Sequence, residues 1–472
     1  MFLRQIFDPH LSQYAYLIGC QKTGEAIVID PERDIDRYRA VAAEEGLRLT
    51  AVAETHIHAD FVSGARELAA DLAVQVYLSA EGGPDWQSEW AHGASNITLL
   101  HDGDSFKVGN IQFQALHTPG HTPEHLVFLV TDFGGGANEP VALLTGDFIF
   151  VGDVGRPDLL EQAAGLVGTQ EAGARQLYTS LRKVANLPCH LQILPAHGAG
   201  SACGKALGSV PTSTFGYEAK FNHAFKLAVD GSEADFVEFI LSGQPEPPAY
   251  FANMKRVNKV GPAVLGMLPS PREMTLDDVS QRLDEPGFAV LDTRDGATFL
   301  AGHLRRSLFT PPEKFADFAG NYLAPEDEIV VIVNNAAATD DYVRQLVRMG
   351  FDKVIGFLPA SAVEAAPAGL KVATCAVKFS EVPSLLADGT RRGLLDVRKA
   401  TEFAAGHLRD ASNIAHTRLR SRLDEVSADF PLLVHCASGL RATGACAFLS
   451  RTGRESICIA DTFDNAPKEL LA

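Results

Sequence analysis

Four stretches in the first half of the chain carry residue types that bind metals. They are His56-Ile-His58-Ala-Asp60, His117-Thr-Pro-Gly-His121, Thr145-Gly-Asp147 and Pro195-Ala-His197. Imidazoles and carboxylates at strand ends and loops are how a rigid scaffold presents metal ligands. One His-x-His pair alone would be ordinary surface chemistry; four stretches in this order point to a metal site. Near the other end, Val434-His435-Cys436-Ala-Ser-Gly-Leu-Arg441 offers a different chemistry. A tight loop at a helix N-terminus turns backbone N–H groups toward an anion. With Arg441 beside it, that cradle favours Cys436 as a nucleophilic thiolate. The alternative, a buried structural cysteine, suits Cys446 and Cys458 better.

The elements that must position these groups are short strands mixed with helices. Residues 14–19 and 25–30 read as strands, separated by the turn former Lys22-Thr-Gly24. The spacing predicts a helix over 34–45 with Gly46 as its stop. The next strand, 49–54, runs into the first histidine pair. Further strands are expected at 111–116 and 141–144. Residues 231–272 read as an exit region, with a helix at 232–241 and then the proline-rich Gln244-Pro-Glu-Pro-Pro-Ala249.

The remainder contains an internal repeat. Val290-Leu-Asp-Thr-Arg and its continuation Phe299-Leu-Ala-Gly-His-Leu-Arg305 align with Leu394-Leu-Asp-Val-Arg and Phe403-Ala-Ala-Gly-His-Leu-Arg409, at an offset of 104 residues. That offset is the size of a small α/β domain, so two tandem copies are expected. The buried strand 329–333 matches 432–434, each followed by a polar loop and a helix. In the earlier copy Asn334-Asn335 stands opposite His435-Cys436, and Asp340 stands opposite Arg441. Asparagine cannot accept sulfur as a thiolate does, and Asp340 reverses the charge of the loop. This copy reads as catalytically silent, a spacer or docking surface.

Composition sets the outer bounds. The 472 residues, 46% hydrophobic and 21% charged, exclude a disordered or collagen-like chain and suggest about three domains. The formal net charge of −18 repels polyanions, and there is no Lys/Arg block, so no nucleic-acid partner is expected. No run approaches the ~18 apolar residues of a membrane span, and the N-terminus lacks a signal-peptide pattern. No membrane association and a cytoplasmic location are the expectation. The seven cysteines are scattered, with no Cys-x-x-Cys pair, which disfavours a disulfide framework or structural zinc. Cys20, Cys189 and Cys203 receive no role.

The order of the histidine stretches resembles the metallo-β-lactamase superfamily, which implies an αββα sandwich over residues 1 to about 230. The superfamily's first motif is His-x-His-x-Asp-His; here Phe61 follows Asp60. A ligand of a second metal is therefore missing, which weakens a dinuclear hydrolase of the glyoxalase II kind. The Thr-His-x-His-Ala-Asp and Thr-Pro-Gly-His-Thr stretches, the Gly-Asp pair and Gly155-Arg-Pro-Asp158 more closely resemble the persulfide dioxygenase branch. That resemblance implies one Fe(II) per chain on His56, His121 and Asp147, with O2 as co-substrate. Two imidazoles and a carboxylate leave adjacent positions open for both reactants. His58 and Asp60 then orient the site, with His197 a weaker candidate for the same role and His117 a strand-end polar residue. Arg156 is a candidate anchor for a substrate carboxylate or phosphate, against the alternative of a loop salt bridge.

The Cys436 loop, with Leu395-Asp-Val-Arg398, Glu402-Phe403 and Gly406-His-Leu408, resembles the rhodanese family. Its six residues from Cys436 to Arg441 match the sulfurtransferases rather than the related phosphatases, whose loop is longer by one. Catalysis would rest on Cys436 and Arg441, with Asp396 and Arg398 structural. The whole chain resembles the fused persulfide dioxygenase–rhodanese (CstB-like) proteins. The implied domains are 1–265 (metallo-β-lactamase-like dioxygenase with its linker), 270–368 (degenerate rhodanese-like) and 374–472 (rhodanese). The implied reaction oxidises a thiol persulfide, of glutathione, coenzyme A or similar, to sulfite. Sulfane sulfur carried on Cys436 then converts sulfite to thiosulfate, and a homo-oligomer is expected. A zinc-dependent thioester hydrolase fused to a sulfurtransferase and a sulfur relay or sensor protein are the alternatives.

Overall fold

Alternation along the strand Gln13–Cys20 sets the architecture of the N-terminal part. Tyr14, Tyr16, Ile18 and Cys20 enter one core, while Ala15 and Leu17 enter another on the opposite face. A strand with two apolar faces must be covered on both. The computed structural model describes residues 1–159, 161, 168–244 and 246–472, so Pro245 of the proline-rich stretch lies outside the described residues. The chain divides into two units, Met1–Met267 with Arg348–Gly350, and Leu268–Val347 with Phe351–Ala472.

In the first unit, two six-stranded sheets face each other. Their shared core joins Tyr16, Ile18 and Ile29 of one sheet to Phe113, Phe128 and Leu144 of the other. Each fully buried Phe contributes roughly 1.5–3 kcal/mol by leaving water. The helices Asp36–Glu44 and Ala65–Leu72 cover one outer face. Thr169–Val184, His223–Asp230 and Glu233–Leu241 cover the other. This is the αββα sandwich. The predicted strands are found at Gln13–Cys20, Glu25–Ile29, Arg48–Ala53, Ile111–His117 and Ala142–Gly146. Gly46 follows the first helix with φ +66, a left-handed turn suited to glycine. The edge strand Phe2–Asp8 was not foreseen.

The second unit contains the repeat as two five-stranded sheets of the same strand order and all-parallel pairing. The central strands are Glu328–Val333 and Leu432–His435. No described helix is long and apolar enough to cross a membrane.

Candidate active site

The strands Glu25–Ile29, Arg48–Ala53, Ala142–Gly146 and Gln192–Pro195 each release a polar residue just beyond the C-terminal end. These are Asp30, His56, Asp147 and His197. His121 follows the strand Ile111–His117. His56, His121 and Asp147 form a buried group whose ligand atoms all lie within 4.8 Å of one another. His121 Nε2 is 3.3 Å from Asp147 Oδ2, and neither Asp147 oxygen has a hydrogen-bond partner.

Neighbouring groups fix which nitrogen of each imidazole is bare. His121 Nδ1 donates to the Arg156 carbonyl at 3.1 Å, leaving Nε2 toward Asp147. The Thr55 hydroxyl donates to Asp30 Oδ2 at 2.9 Å, so it accepts from His56 Nδ1, also at 2.9 Å. Burial, reinforced by the imidazoles of His58 and His121, holds the His56 pKa well below its ordinary value. Burial also lowers that of His121, with Asp147 opposing. Neutral imidazole is the form that binds metal. Two such rings and a buried carboxylate whose oxygens make no hydrogen bond fit a divalent transition metal.

His58 lies outside that group. Its Nε2 sits 3.1 Å from Asp30 Oδ1 and 2.9 Å from Glu54 Oε2. Burial opposes its charge, but the two carboxylates outweigh it and raise the pKa well above the ordinary value. Asp30 thus ties His58 to Thr55 and, through it, to His56. Asp60, His197 and Cys203 form another buried group. His197 Nε2 lies 3.1 Å from Asp60 Oδ2 and 3.3 Å from Asp147 Oδ1, while Nδ1 donates to the Ser12 carbonyl. Asp147 therefore turns one oxygen to His121 and the other to His197. Phe61 is fully buried, its ring 4.3 Å from that of His58.

The Arg156 guanidinium is buried and bonds Asp158 at 2.9 and 2.6 Å and the Ala202 carbonyl at 3.0 Å. Arg156 thus makes the loop salt bridge, with its donors taken up by Asp158 and by the Ala202 carbonyl. What Arg156 gives the site is its backbone carbonyl. Gly155 brings it there: an added Cβ would fall 1.8 Å from the Asp147 carbonyl oxygen. His117 bonds the Pro123 carbonyl as a strand-end residue. Sequence reasoning missed Asp30, Glu54, Thr55, Cys203 and His125, whose Nε2 accepts from the Asp147 N–H at 3.1 Å. The His121–His125 spacing was the available signal for the last.

In the second unit, Cys436 is buried at the end of the strand Leu432–His435, and the Ala442 N–H reaches its Sγ at 3.4 Å. The helix Leu440–Arg451 begins within the loop. Arg441 bonds both oxygens of Glu402, at 2.7 and 2.8 Å, and these bonds push the Glu402 pKa down to about 2. Arg398 clamps Asp396 and the Gly406 carbonyl. Arg294 clamps Asp292 and the Gly302 carbonyl in the same way. The clamp persists in the copy without the cysteine, so its role is structural. In that copy Asn335 caps its own turn by accepting from the Ala337 N–H.

The family model described as Metallo-beta-lactamase superfamily matches residues 9–197. The Rhodanese-like domain model matches 275–361 and 379–462. The chain is 32% identical to the mitochondrial persulfide dioxygenase ETHE1 of Bos taurus, over 42% of this chain and 68% of that protein. It is also 32% identical to a hydroxyacylglutathione hydrolase of Nitrosococcus oceani, over 42% of this chain and 66% of the relative. Among solved structures, one described as a metallo-beta-lactamase from Staphylococcus aureus is 40% identical. It covers 76% of this chain and 99% of its own, with a TM-score of 0.68. The chain belongs to the metallo-beta-lactamase superfamily, in a fused form that joins a domain related to the persulfide dioxygenases to rhodanese-like domains.

Proposed function

We propose that the protein oxidises the sulfane sulfur of low-molecular-weight thiol persulfides to sulfite and transfers a second sulfane sulfur through Cys436 to yield thiosulfate. The observation that carries this reading is the pair of neutral imidazoles grouped with the buried Asp147 carboxylate, whose oxygens make no hydrogen bond, in a chain that also holds the six-residue cysteine loop. His56, His121 and Asp147 would hold one iron(II), which supplies adjacent positions for persulfide and O2 and the redox chemistry that side chains lack. Thr55 and the Arg156 carbonyl keep the ring nitrogens aimed, and Phe61 puts an apolar wall beside the site. Overall, one persulfide, one O2 and one water give one thiol, one sulfite and two protons.

At the other site the Cys436 thiolate attacks the outer sulfur of a persulfide and displaces the carrier thiolate. The sulfite sulfur lone pair then attacks that outer sulfur, the sulfur–sulfur bond to Cys436 breaks, and thiosulfate leaves. The test is O2 uptake by anaerobically iron-loaded protein with a thiol persulfide, for wild type and Cys436→Ser. The expected result is uptake in both, with the variant's product moved from thiosulfate to sulfite. Absence of O2 uptake by wild type would overturn the reading. A zinc-dependent thioester hydrolase is favoured by one feature, the Asp60–His197–Cys203 group beside Asp147. Thioester cleavage with bound zinc would establish it instead.

A further inference from the structure

Cys203 stands on a loop that the fold holds at both ends. Before it, the Ala202 carbonyl accepts from the Arg156 guanidinium at 3.0 Å. After it, the N–H groups of Lys205 and Ala206 donate to Asp153 Oδ2 at 2.9 and 2.8 Å. The Cys203 N–H itself donates to Ser201 Oγ at 3.1 Å. The side chain is thereby set among Phe150, Leu159 and Phe251, with only 2% of the residue exposed. A buried cysteine in such a cluster ordinarily serves as a small apolar filler. Here it does not face apolar groups alone. Cys203, Asp60 and His197 each present a ligand atom, and these atoms lie within 4.8 Å of one another.

The separations are close to those around a shared ion. Bonds of about 2.0–2.2 Å from imidazole nitrogen and carboxylate oxygen to a tetrahedral zinc put neighbouring ligand atoms roughly 3.3–3.5 Å apart. His197 Nε2 stands 3.1 Å from Asp60 Oδ2 and 3.3 Å from Asp147 Oδ1. All three atoms are buried and make no hydrogen bond. His197 Nδ1 donates to the Ser12 carbonyl at 3.1 Å, which turns Nε2 toward the two carboxylates. An imidazolium there would balance the charges, but it would not account for the thiol beside them. One imidazole, one thiolate and two carboxylate oxygens suit a borderline-soft cation. Magnesium and calcium, which take oxygen ligands, are poorly served by this set.

We propose that Asp60, His197 and Cys203, together with Oδ1 of Asp147, form a second metal site that takes a thiophilic divalent cation of the zinc class. Cys203 binds as the thiolate, its proton passing to solvent. Asp147, whose other oxygen faces His121, bridges the two sites. Arg156 braces both, since its guanidinium holds the Cys203 loop and its own carbonyl aims His121. The site stands on its own geometry and does not rest on the dioxygenase reading.

The test is titration of the full-length protein, carrying one iron(II) per chain and held anaerobically, with cobalt(II) as a coloured stand-in for zinc. A thiolate bound to cobalt gives an intense near-ultraviolet charge-transfer band that imidazole and carboxylate ligands do not give. One cobalt ion is expected to bind beside the iron and to carry that band, and added zinc should abolish it by displacement. Cys203→Ser should lose both the band and the bound cobalt. Cys203→His should bind cobalt without the band, which separates loss of a ligand from loss of the fold. Cys436→Ser should keep the band. Absence of the band from wild type, or its survival in Cys203→Ser, would overturn the proposal. A Cys203-dependent band in protein that takes up no O2 with a thiol persulfide would sink the dioxygenase reading and leave this site standing. O2 uptake by protein that never shows the band would do the reverse.

Discussion

Thr55 decides which nitrogen of His56 faces the centre, because its hydroxyl proton is committed to Asp30. Replacing it by valine removes the acceptor and frees the ring to take the other tautomer. Groups in this outer position typically govern about 10- to 100-fold in metal affinity. Thr55→Val is therefore expected to weaken iron(II) binding by about that factor in equilibrium dialysis while the protein still folds. Asp147→Asn is expected to abolish it, since the only carboxylate of the triad is lost. His435 makes a separate, pH-dependent prediction. Neither of its nitrogens makes a hydrogen bond, Nε2 lies 3.7 Å from Asp396 Oδ2, and burial lowers its pKa from 6.5 to about 4, with Asp396 opposing. The folded state thus prefers the neutral ring. Its contribution is complete above pH 6.5 and is lost as pH falls toward about 4, amounting to about 3 kcal/mol by linkage. Melting curves at pH 7 and 4.5 should show a smaller acid-induced drop for His435→Phe than for wild type.

At the scale of elements, the ligands depend on how closely the chain passes itself beyond the strand ends. Gly155→Ala would drive its Cβ into the Asp147 carbonyl, displacing both that ligand and the carbonyl that aims His121. Lower iron content together with a lower melting temperature is expected, unlike Thr55→Val, which should change only the first. The strands were legible in the sequence because apolar alternation carries them, and the grouping of His56, His121 and Asp147 was legible only through the family resemblance of their motifs. Asp30 and Glu54 were not. They meet because the strands Glu25–Ile29 and Arg48–Ala53 pair in parallel, and no spacing in the chain records that pairing. Cys203 belongs to a segment whose local pattern is bland, and only the fold brings it to Asp60 and His197. Between the two readings of Arg156 the sequence could not choose, because its partner Asp158 lies two residues away and is reached only through the turn.

Across the repeat, the copy without the cysteine is bound to the Cys436 copy by side-chain packing and backbone hydrogen bonds. Phe318 lies against Gly444 of the helix that follows the Cys436 loop, where an added Cβ would fall 2.3 Å from the ring. Tyr322 stacks on Phe448 at 5.1 Å, and Arg451 donates to the Phe288 and Arg306 carbonyls at 2.7 and 3.1 Å. Phe318→Ala should cost about 3–5 kcal/mol of the second unit's stability and lower sulfur transfer from thiosulfate on heating, measured as rhodanese activity after a temperature ramp. O2 uptake at the first unit should be unaffected. The same aromatic contact has a consequence during synthesis. Phe318 and Tyr322 leave the ribosome more than a hundred residues before Gly444 and Phe448, a wait on the order of ten seconds at about 5–20 residues per second. Throughout that interval the newborn copy presents an uncovered aromatic patch, so the final helix acts as the late-arriving lid that ends its exposure to chaperones.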